Sequence, residues 1–457
     1  MKQLNQYKDR QIVVLGMAKS GVAVAKLLHR FGAHVVVNDR KPREESVGAD
    51  ELEALGIPII CGGHPDDLIH PGVDLVVKNP GIPYEAEPVA KALGLGIPVI
   101  TEVEIAYQLA DAPIIGITGS NGKTTTTTLV GLMLKEAGID ALVGGNIGTV
   151  LTGLAEVASE DQWLVAELSS FQLMGTKTFR PRIGVLMNLY PAHLDYHHSM
   201  ESYLDAKMNM FANQTEEDIA VLPWDQPQLH ERFQEVRART YFFSRKQKIS
   251  RGAYVEDGMI VFSDGEGSRE EILPVADCAV RHLDNALAAI IVSRLAGADK
   301  QSVARVLSTF PGVEHRMEFV AKIAGVSYYN DSKATNPEAA SRALQACDKP
   351  VVWICGGLDR GVDFKELVPV MRGRVKAMIA LGQTAPILLA RGEEAGIPER
   401  LRVDTVEEAV AAAARIAQPE DIVLLSPACA SWDMFPSFEV RGSMFKDGVH
   451  RLKTSLA

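Results

Sequence analysis

Short apolar runs alternate with helix-like patterns along nearly the whole chain. A run of about four to eight apolar residues between turn residues is typical of a buried strand, whereas apolar positions that recur every three or four residues indicate a helix. Strands and helices that alternate in this way form parallel sheets covered by helices. We therefore predict an α/β protein, and breaks in the rhythm divide it into three domains.

The first predicted domain covers residues 1–100, and the second covers residues 101–311. We predict strands in these domains at Ile12–Leu15, His34–Val37, Leu75–Val77, Pro98–Ile100, Ile114–Thr118, Trp163–Leu168 and Ile183–Asn188. Residues 239–273 consist of shorter alternating pieces such as Gly258–Ser263, which predict a small antiparallel flap. A helix is predicted at His282–Leu295.

The third predicted domain covers residues 312–457 and follows a turn signal at Phe310–Gly312. It repeats the α/β rhythm, with a helix at Glu407–Ala417 and strands at Val326–Tyr329, Val351–Cys355, Val375–Leu381 and Ile422–Leu425. The length of 457 residues agrees with this division, since domains average roughly 150 residues.

Charge and composition exclude several classes of protein. The formal net charge of −11 argues against a protein that coats nucleic acid or an anionic membrane. Met1–Gln11 lacks the apolar core of a signal peptide, and no apolar run approaches the roughly 18 residues of a membrane span. The five cysteines are scattered and form no CxxC pair, so we expect reduced thiols in a cytoplasmic protein. The oligomeric state is open, and a monomer is our default expectation.

A glycine-rich turn opens the second domain. The strand Ile114–Thr118 leads into Gly119-Ser-Asn-Gly-Lys-Thr124, and a helix is predicted to follow through about Ala137. Glycines let backbone N–H groups converge on phosphate oxygens, while Lys123 would reach the terminal phosphates and the Thr124 hydroxyl would bind Mg²⁺. The spacing is tighter than the common phosphate-loop pattern, and an ordinary glycine turn is the alternative.

Two turns in the first domain face the same predicted sheet edge. Gly16–Gly21 follows the first strand and Asp39 follows the second, but the full dinucleotide-binding pattern of glycines is missing. Asn79-Pro-Gly81 follows another strand and is either a ligand-facing turn or a plain structural one. These turns predict a pocket for a nucleotide-like group.

Three further positions in the second domain carry candidate chemistry. Glu167 ends a strand at the edge where α/β sheets bind ligands, and it could bind Mg²⁺ together with Thr124. The alternative is a solvated strand end. His193 could be a ligand or a histidine satisfied by hydrogen bonds, and Lys207 taken alone resembles an ordinary solvated lysine on a helix that begins near Met200.

Loops of the third domain are rich in polar residues just past predicted strands. In Tyr329–Pro337, Asn336 and Pro337 are explained by helix initiation, but Asp331 and Lys333 are not. Gly356-Gly357 begins a turn that contains Asp359 and Arg360, and Ser426–Phe435 is rich in small hydroxyl-bearing side chains.

Taken together, these motifs resemble the Mur ligases, the ATP-dependent enzymes that add amino acids to the muramoyl precursor of peptidoglycan. The resemblance covers essentially the whole chain and rests on motifs in the family's order, namely Gly119–Thr124, Glu167–Gln172, His193–Asp195, Asp205–Met208, Glu314–Glu318, Asn330–Asn336 and Ser426–Trp432. The last two motifs resemble the glutamate-adding branch. The Leu-Asp-Arg-Gly sequence after Gly357 departs from the family pattern and leaves Arg360 without an assigned role.

The resemblance implies an N-terminal Rossmann-like domain that binds UDP, a central P-loop ATPase-like domain and a C-terminal Rossmann-like domain. Its implied reaction adds D-glutamate to UDP-N-acetylmuramoyl-L-alanine through an acyl phosphate, with ATP and Mg²⁺ as cofactors. The implied catalytic residues are Lys123, His193 and Lys207. The metal ligands would be Thr124, Glu167, His193 and Lys207 as a carbamate.

The resemblance also implies the residues that bind each substrate. ATP would contact Gly119, Ser120, Asn121, Gly122, Lys123, Thr124, Thr125, Asn285, Arg316 and Asp331. The UDP-substrate would contact Lys19, Ser20, Asp39, Arg40, Asn79 and Asn146, and D-glutamate would contact Lys333, Thr335, Ser431 and Phe438. The alternatives are a ligase like folylpolyglutamate synthetase, which would lack the N-terminal domain, and a nucleotide-dependent switch ATPase.

Overall fold

Three β-sheets organise the chain in a computed structural model that describes residues 4–46 and 48–455. The sheets have five, nine and six strands. The chain divides into two compact units, Met1–Phe310 with the first two sheets and Pro311–Ala457 with the third. Among the described residues, no helix is both long enough and apolar enough to cross a membrane.

The first sheet is entirely parallel and has the strand order β3-β2-β1-β4-β5. Its strands are β1 (Gln11–Leu15), β2 (His34–Asp39), β3 (Ile59–Cys61), β4 (Leu75–Lys78) and β5 (Val99–Ile100). The helices are α1 (Lys19–Arg30), α2 (Ala49–Ala54), α3 (Glu87–Gly94) and α4 (Glu102–Leu109). The strand order reverses between β1 and β4, and this is where open α/β sheets bind ligands.

The second sheet has the order β14-β13-β12-β11-β10-β9-β6-β8-β7. Its strands are β6 (Ile114–Thr118), β7 (Ala141–Gly145), β8 (Trp163–Glu167), β9 (Ile183–Leu186), β10 (Ile219–Pro223), β11 (Arg239–Ser244), β12 (Gly252–Glu256), β13 (Met259–Ser263) and β14 (Arg269–Pro274). The helices are α5 (Lys123–Glu136), α6 (Leu151–Val157), α7 (Ser170–Leu173), α8 (Leu194–His197), α9 (Met200–Met208), α10 (His230–Phe233), α11 (Leu283–Leu295) and α12 (Lys300–Thr309).

The predicted antiparallel flap at residues 239–273 is only partly antiparallel and is not a separate layer. β11 pairs in parallel with β10 and with β12, so it continues the central sheet. Among the described strands of this sheet, β13 alone runs in the opposite direction, and it pairs antiparallel with both β12 and the edge strand β14. Short-range alternation predicts strands correctly here, but it carries no information about which neighbour each strand pairs with.

The third sheet has the order β15-β16-β20-β17-β18-β19, and every pair except β15 with β16 is parallel. Its strands are β15 (Glu318–Ile323), β16 (Val326–Asn330), β17 (Val351–Gly356), β18 (Val375–Leu381), β19 (Glu399–Arg402) and β20 (Ile422–Leu425). The helices are α13 (Pro337–Gln345), α14 (Val368–Met371), α15 (Ala385–Glu394), α16 (Val406–Ile416) and α17 (Phe438–Ser455).

The predicted α/β class is confirmed, and most strands begin and end within two residues of their predicted positions. Short 3-10 helices at Leu4–Tyr7, Arg43–Glu45, Pro227–Leu229, Val275–Asp277 and Lys365–Leu367 complete the described elements. Asn336 caps α13 as predicted, since its side chain accepts a hydrogen bond from the N–H of Ala339 at 2.9 Å. All five cysteines are free thiols.

Candidate active site

The phosphate-loop motif forms the turn between β6 and α5. Gly119 and Gly122 have φ angles of +150° and +82°, values that glycine adopts far more readily than other residues. Between them, the N–H of Asn121 donates to Asn188 Oδ1 at 2.9 Å, which ties the turn to the loop after β9. Gly122 is the N-cap of α5, so the turn presents the positive end of a 14-residue helix.

Asn285 on α11 lies directly against this turn. A Cβ atom at position 122 would come within 2.3 Å of Asn285 Oδ1, a distance that no real Cβ contact shows. Asn285 itself is buried, at 5% exposure. A predicted ATP residue far along the chain is therefore brought to the phosphate loop.

Two lysines meet at one carbonyl oxygen of the turn. Lys123 Nζ donates to the Gly119 carbonyl at 2.7 Å and to the Ser120 carbonyl at 3.1 Å, and Lys207 Nζ donates to the same Gly119 oxygen at 3.0 Å. Lys207 is only 1% exposed and lies over the Tyr203 ring, with Nζ 4.3 Å from its centroid. The interpretation of Lys207 as a solvated lysine is therefore wrong.

Burial lowers the pKa of Lys207 well below its usual value, and the charge of Lys123 lowers it further. Removing an ammonium group from water is costly, and a second cation beside it adds repulsion. The surroundings of Lys207 therefore favour the neutral amine over the ammonium form. A neutral amine has a free electron pair and can act as a nucleophile.

Glu167 ends β8 and is buried, at 2% exposure. Its Oε1 accepts a hydrogen bond from Asn146 Nδ2 at 2.9 Å, but its Oε2 has no hydrogen-bond partner among the described residues. The alternative of a solvated strand end is therefore wrong. A buried carboxylate oxygen without a partner is energetically unfavourable, and a divalent cation would satisfy it.

His193 and His197 lie in one aromatic cluster around α8. His193 is the N-cap of α8, with φ +55°, and its ring packs edge-on against Phe171 at a centroid distance of 5.0 Å. His197 is buried and its Nε2 lies 2.9 Å from Ser170 Oγ. Burial and the nearby Lys207 lower the pKa of His197 to about 4, so its ring is neutral. Sequence reasoning gave His197 no role, since nothing in the local pattern separates it from exposed His198.

The predicted UDP-substrate residues of the first domain gather at the reversal point of its sheet. Asp39 accepts hydrogen bonds from the N–H groups of Met17 at 2.7 Å and Lys41 at 2.9 Å, which fixes the turns after β1 and β2. Asn79 Nδ2 lies 3.4 Å from Ser20 Oγ and joins the turn after β4 to the start of α1. The side chains of Lys19 and Arg40 are exposed beside these turns.

In the second unit, Asp331 lies just after β16 and is 6% exposed. Its carboxylate accepts hydrogen bonds from Ser426 Oγ at 2.9 Å and from the Met317 N–H at 3.1 Å. Burial raises the pKa of Asp331 to about 6, although both hydrogen bonds and the charge of Arg316 oppose this rise. The structure thus links Asp331 to the loop after β20 and to the exposed Arg316 segment.

The predicted D-glutamate residues lie near the start of α17 in the same unit. Lys333 Nζ lies 5.7 Å from the centroid of the Phe438 ring. The Thr335 N–H donates to the Lys333 carbonyl at 2.9 Å, and Ser431 is buried, at 2% exposure. The loop after β16 and the loop between β20 and α17 therefore reach one region of the third sheet.

Arg441 joins these loops and was missed by sequence reasoning. It is 1% exposed, and its guanidinium donates to Ser332 Oγ at 3.0 Å, to the Ser332 carbonyl at 2.9 Å and to the Cys429 carbonyl at 3.2 Å. Burial lowers its pKa to about 10, so it stays positively charged. An arginine within the first turn of a helix normally suggests exposure, and only its long-range contacts reveal this role.

Comparison with models of known protein families shows to which family the chain belongs. Three family models match successive parts of the chain: the Mur ligase MurD-like N-terminal domain at residues 10–101, the Mur ligase middle domain at 117–293, and the Mur ligase glutamate ligase domain at 315–429. The chain belongs to the Mur ligase family. The predicted three-domain fold and the family resemblance are thereby confirmed.

Curated relatives match this Mur ligase over almost its full length. The UDP-N-acetylmuramoylalanine–D-glutamate ligase of Geobacillus sp. (strain WCH70) is 50% identical and covers 99% of this chain and 100% of its own. The enzyme of the same name from Bacillus subtilis (strain 168) is 48% identical and covers 98% of this chain and 99% of its own.

Solved structures resemble this Mur ligase in fold. UDP-N-acetylmuramate-alanine ligase MurC from Thermotoga maritima has a TM-score of 0.55 at 19% identity and covers 97% of this chain and 99% of its own. E. coli FolC in complex with ADP, without its folate substrate, has a TM-score of 0.54 at 19% identity and covers 77% of this chain and 93% of its own. The match to a MurD-like N-terminal domain disfavours the folylpolyglutamate synthetase-like alternative, which was expected to lack it.

Proposed function

We propose that this Mur ligase joins D-glutamate to UDP-N-acetylmuramoyl-L-alanine at the expense of ATP, in the synthesis of peptidoglycan. The observation that carries the proposal is the 50% identity, over essentially the full length of both chains, to a relative named for this reaction. The phosphate loop, with its lysine and its buried surroundings, supports the use of ATP.

We assign one substrate to each predicted domain. Residues 1–100 would bind the UDP moiety, residues 101–311 would bind ATP, and residues 312–457 would bind D-glutamate. The reversal point of the first sheet supports the first assignment, because the turns that carry Ser20, Asp39 and Asn79 meet there. Lys19 and Arg40 would add positive charge for the diphosphate, and Asn146 would contact the muramoyl side.

The ATP phosphates would bind to the loop amides of Gly119–Gly122, to Lys123 and to the start of α5 at Thr124 and Thr125. Convergent N–H groups at a helix N-terminus favour anions, which supports this assignment. The assignments of Asn285, Arg316 and Asp331 to ATP rest on the family resemblance, and for Asn285 its contact with Gly122 gives added support.

The residues near the phosphate loop fit Mg²⁺ ions. The unpartnered Oε2 of Glu167 supplies a buried anionic oxygen, and Thr124 supplies a hydroxyl. His193 and a carbamate on Lys207 would hold a second ion. A carbamate forms when a neutral amine attacks CO₂, which the lowered pKa of Lys207 favours. When bound there, Mg²⁺ would neutralise the negative charge of the phosphates.

The chemistry then proceeds in two steps. The alanine carboxylate attacks the γ-phosphorus of ATP, the bond to the bridging oxygen breaks, and ADP leaves with formation of an acyl phosphate. The amine of D-glutamate attacks the acyl carbon, phosphate leaves, and the amine loses its proton. Lys123 would stabilise charge that develops on the transferred phosphoryl group, and Lys333, Thr335, Ser431 and Phe438 would orient D-glutamate.

Product formation tests the proposal. The purified protein is incubated with ATP, UDP-N-acetylmuramoyl-L-alanine and isotopically labelled D-glutamate, and the labelled amide is measured by mass spectrometry. L-Glutamate serves as the control substrate, and Lys123→Ala serves as the control variant. We expect labelled product with D-glutamate and none with L-glutamate. ATP hydrolysis that does not respond to either co-substrate would instead favour a nucleotide-dependent switch ATPase.

A further inference from the structure

Lys78, the last residue of β4, is a buried lysine to which neither the family resemblance nor the proposed mechanism gives a role. It is 1% exposed and directly precedes Asn79, the proposed UDP-substrate residue. Its Nζ donates to the Ile82 carbonyl at 2.8 Å and to the Pro80 carbonyl at 3.1 Å. Lys78 therefore stabilises the turn after β4 through hydrogen bonds to the backbone of that turn.

The same ammonium group reaches across to the second domain. Lys78 Nζ lies 3.2 Å from the hydroxyl of Tyr196 on α8, and that hydroxyl also donates to the Ile82 carbonyl at 3.0 Å. The rings of Tyr84 and Tyr196 lie under the charge, at 4.6 Å and 6.0 Å from Nζ to their centroids. One cation thus holds a turn of the first sheet against a helix of the second.

The charge of Glu85 partly offsets the cost of burying the Lys78 cation. Glu85 lies on the same segment, and its Oε1 is 3.2 Å from Nε2 of His198, which follows α8. Burial lowers the pKa of Lys78 to about 8, while the charge of Glu85 opposes that change. Lys78 therefore remains mostly protonated near pH 7.

Tyr196 also leads directly to His193. The Phe171 ring contacts Tyr196 at a centroid distance of 4.6 Å and His193 at 5.0 Å, both edge-on. His193 starts the helix on which Tyr196 lies, one turn away. An unbroken series of contacts therefore runs from Asn79 through Lys78, Tyr196 and Phe171 to His193.

We infer that Lys78 and Tyr196 are positioning residues that lock the UDP-substrate turn onto the helix that carries His193. The inference rests on the proposed function, because it concerns how the UDP-substrate site is aligned with the reaction centre. Small misplacements of a bound substrate can reduce the rate of an enzyme about 100-fold, so a lock of this kind affects both binding and turnover. The KM for D-glutamate, whose proposed site is in the other unit, is expected to be unaffected.

The variants Lys78→Met, Tyr196→Phe and the double variant test the lock, with Lys26→Met as the matched control. Lys26 is a surface lysine of α1 that pairs with Glu51, and its loss leaves the turn untouched. Methionine keeps the length of the lysine stem without the donor, and phenylalanine removes a single hydroxyl. Steady-state kinetics with each of the three substrates varied in turn give the KM and kcat values, and circular dichroism checks folding.

Each single variant is expected to lower kcat/KM for the UDP-substrate about 10-fold and to leave the KM for D-glutamate within twofold. The double variant is expected to be no worse than the poorer single variant, because both changes break one shared interaction. Values of kcat/KM within twofold of wild type, or effects that multiply in the double variant, would overturn the inference. If Lys78→Met does not fold, Tyr196→Phe decides alone.

Hydrogen–deuterium exchange separates this inference from the proposed function. If the wild-type protein forms no product, the proposed function fails, but the lock can still be measured. Tyr196→Phe is then expected to speed amide exchange both in residues 78–86 and in residues 190–200, since each segment loses its anchor. Unchanged exchange in either segment would refute the lock.

Discussion

Two glycines at opposite ends of α5 provide a controlled test of the phosphate loop. Gly122 precedes the helix with φ +82°, and Gly138 follows it with φ +73°. Both positions favour glycine for the same backbone reason. They differ in space, because a Cβ at 122 would lie 2.3 Å from Asn285 Oδ1, whereas a Cβ at 138 would meet nothing within 4 Å. We therefore compare Gly122→Ala with Gly138→Ala.

The backbone cost should be similar in the two variants. A residue with a Cβ in the left-handed region costs about 1–2 kcal/mol, and for a domain of this size each kcal/mol lowers the melting temperature by roughly 2–4 °C. Gly138→Ala should lose about this much stability and no activity. Gly122→Ala carries the same backbone cost and must also move Asn285 or the turn. The new Cβ would lie 2.3 Å from Asn285 Oδ1, whereas ordinary contacts between such atoms are about 3 Å or longer.

The assay pairs thermal unfolding with the KM for ATP. We expect both variants to melt a few degrees below wild type. Only Gly122→Ala should raise the KM for ATP, by about 10-fold or more, because displaced N–H groups no longer converge on the phosphates. Phosphate release coupled to product formation gives the rate.

Equal ATP kinetics in the two variants would refute the reasoning. It would mean that the turn at Gly122 either does not contact ATP or adapts freely to a side chain. A large loss of ATP affinity in Gly138→Ala would refute it equally, since that change leaves the turn untouched. A third variant, Asn285→Ala combined with Gly122→Ala, should recover part of the stability because it removes the overlap, and it leaves the backbone cost in place.

Three further predictions concern buried ionisable groups. Glu167→Gln should raise the Mg²⁺ concentration for half-maximal activity at least 10-fold, measured by titration of the metal, because an amide oxygen replaces an anionic ligand. Lys207→Met should lower kcat about 100-fold or more, since it removes the amine that would form the carbamate. The melting temperature should not fall, because the substitution replaces a buried polar group with an apolar one. A fully active variant would contradict this prediction. Burial raises the pKa of Asp331 from 3.8 to about 6, so the folded protein binds the extra proton, and its stabilising contribution is present below pH 4 and is lost as the pH rises through 6. Denaturant unfolding should therefore show Asp331→Asn gaining about 2 kcal/mol relative to wild type between pH 4 and pH 7, and a constant difference would contradict the pKa.

The parts of the fold that the sequence predicts well are those encoded by neighbouring residues. β6 and β20 have the predicted bounds, because each is a run of apolar residues that ends at a turn. The N-cap of α13 follows from Asn336 and Pro337 alone. The phosphate loop is likewise a local motif, so its position between a strand and a helix needed no long-range information.

Burial of charged side chains could not be predicted in this way. Lys207 has the same sequence surroundings as a surface lysine, yet its Nζ lies over the Tyr203 ring and donates to the carbonyl of Gly119, which is distant in the chain. Arg441 is similar, since its acceptors on Ser332 and Cys429 come from two other loops. Such contacts depend on sheet order, which periodicity does not determine. The family resemblance supplied a role for Lys207, whereas Lys78 and Arg441 became visible only in the structure.

Lys78 and Lys207 are two buried lysines whose charged neighbours have opposite effects on their pKa values. Each is 1% exposed, each donates to a backbone carbonyl, and each lies over a tyrosine ring. Burial lowers the pKa of both, and that of Lys78 falls to about 8. The charge of Glu85 opposes the change at Lys78, whereas the charge of Lys123 lowers the pKa of Lys207 further. Lys78 therefore stays a cation that can bind carbonyl oxygens and hold a turn in place. The surroundings of Lys207 instead favour the neutral amine, which is the form that can react with CO₂.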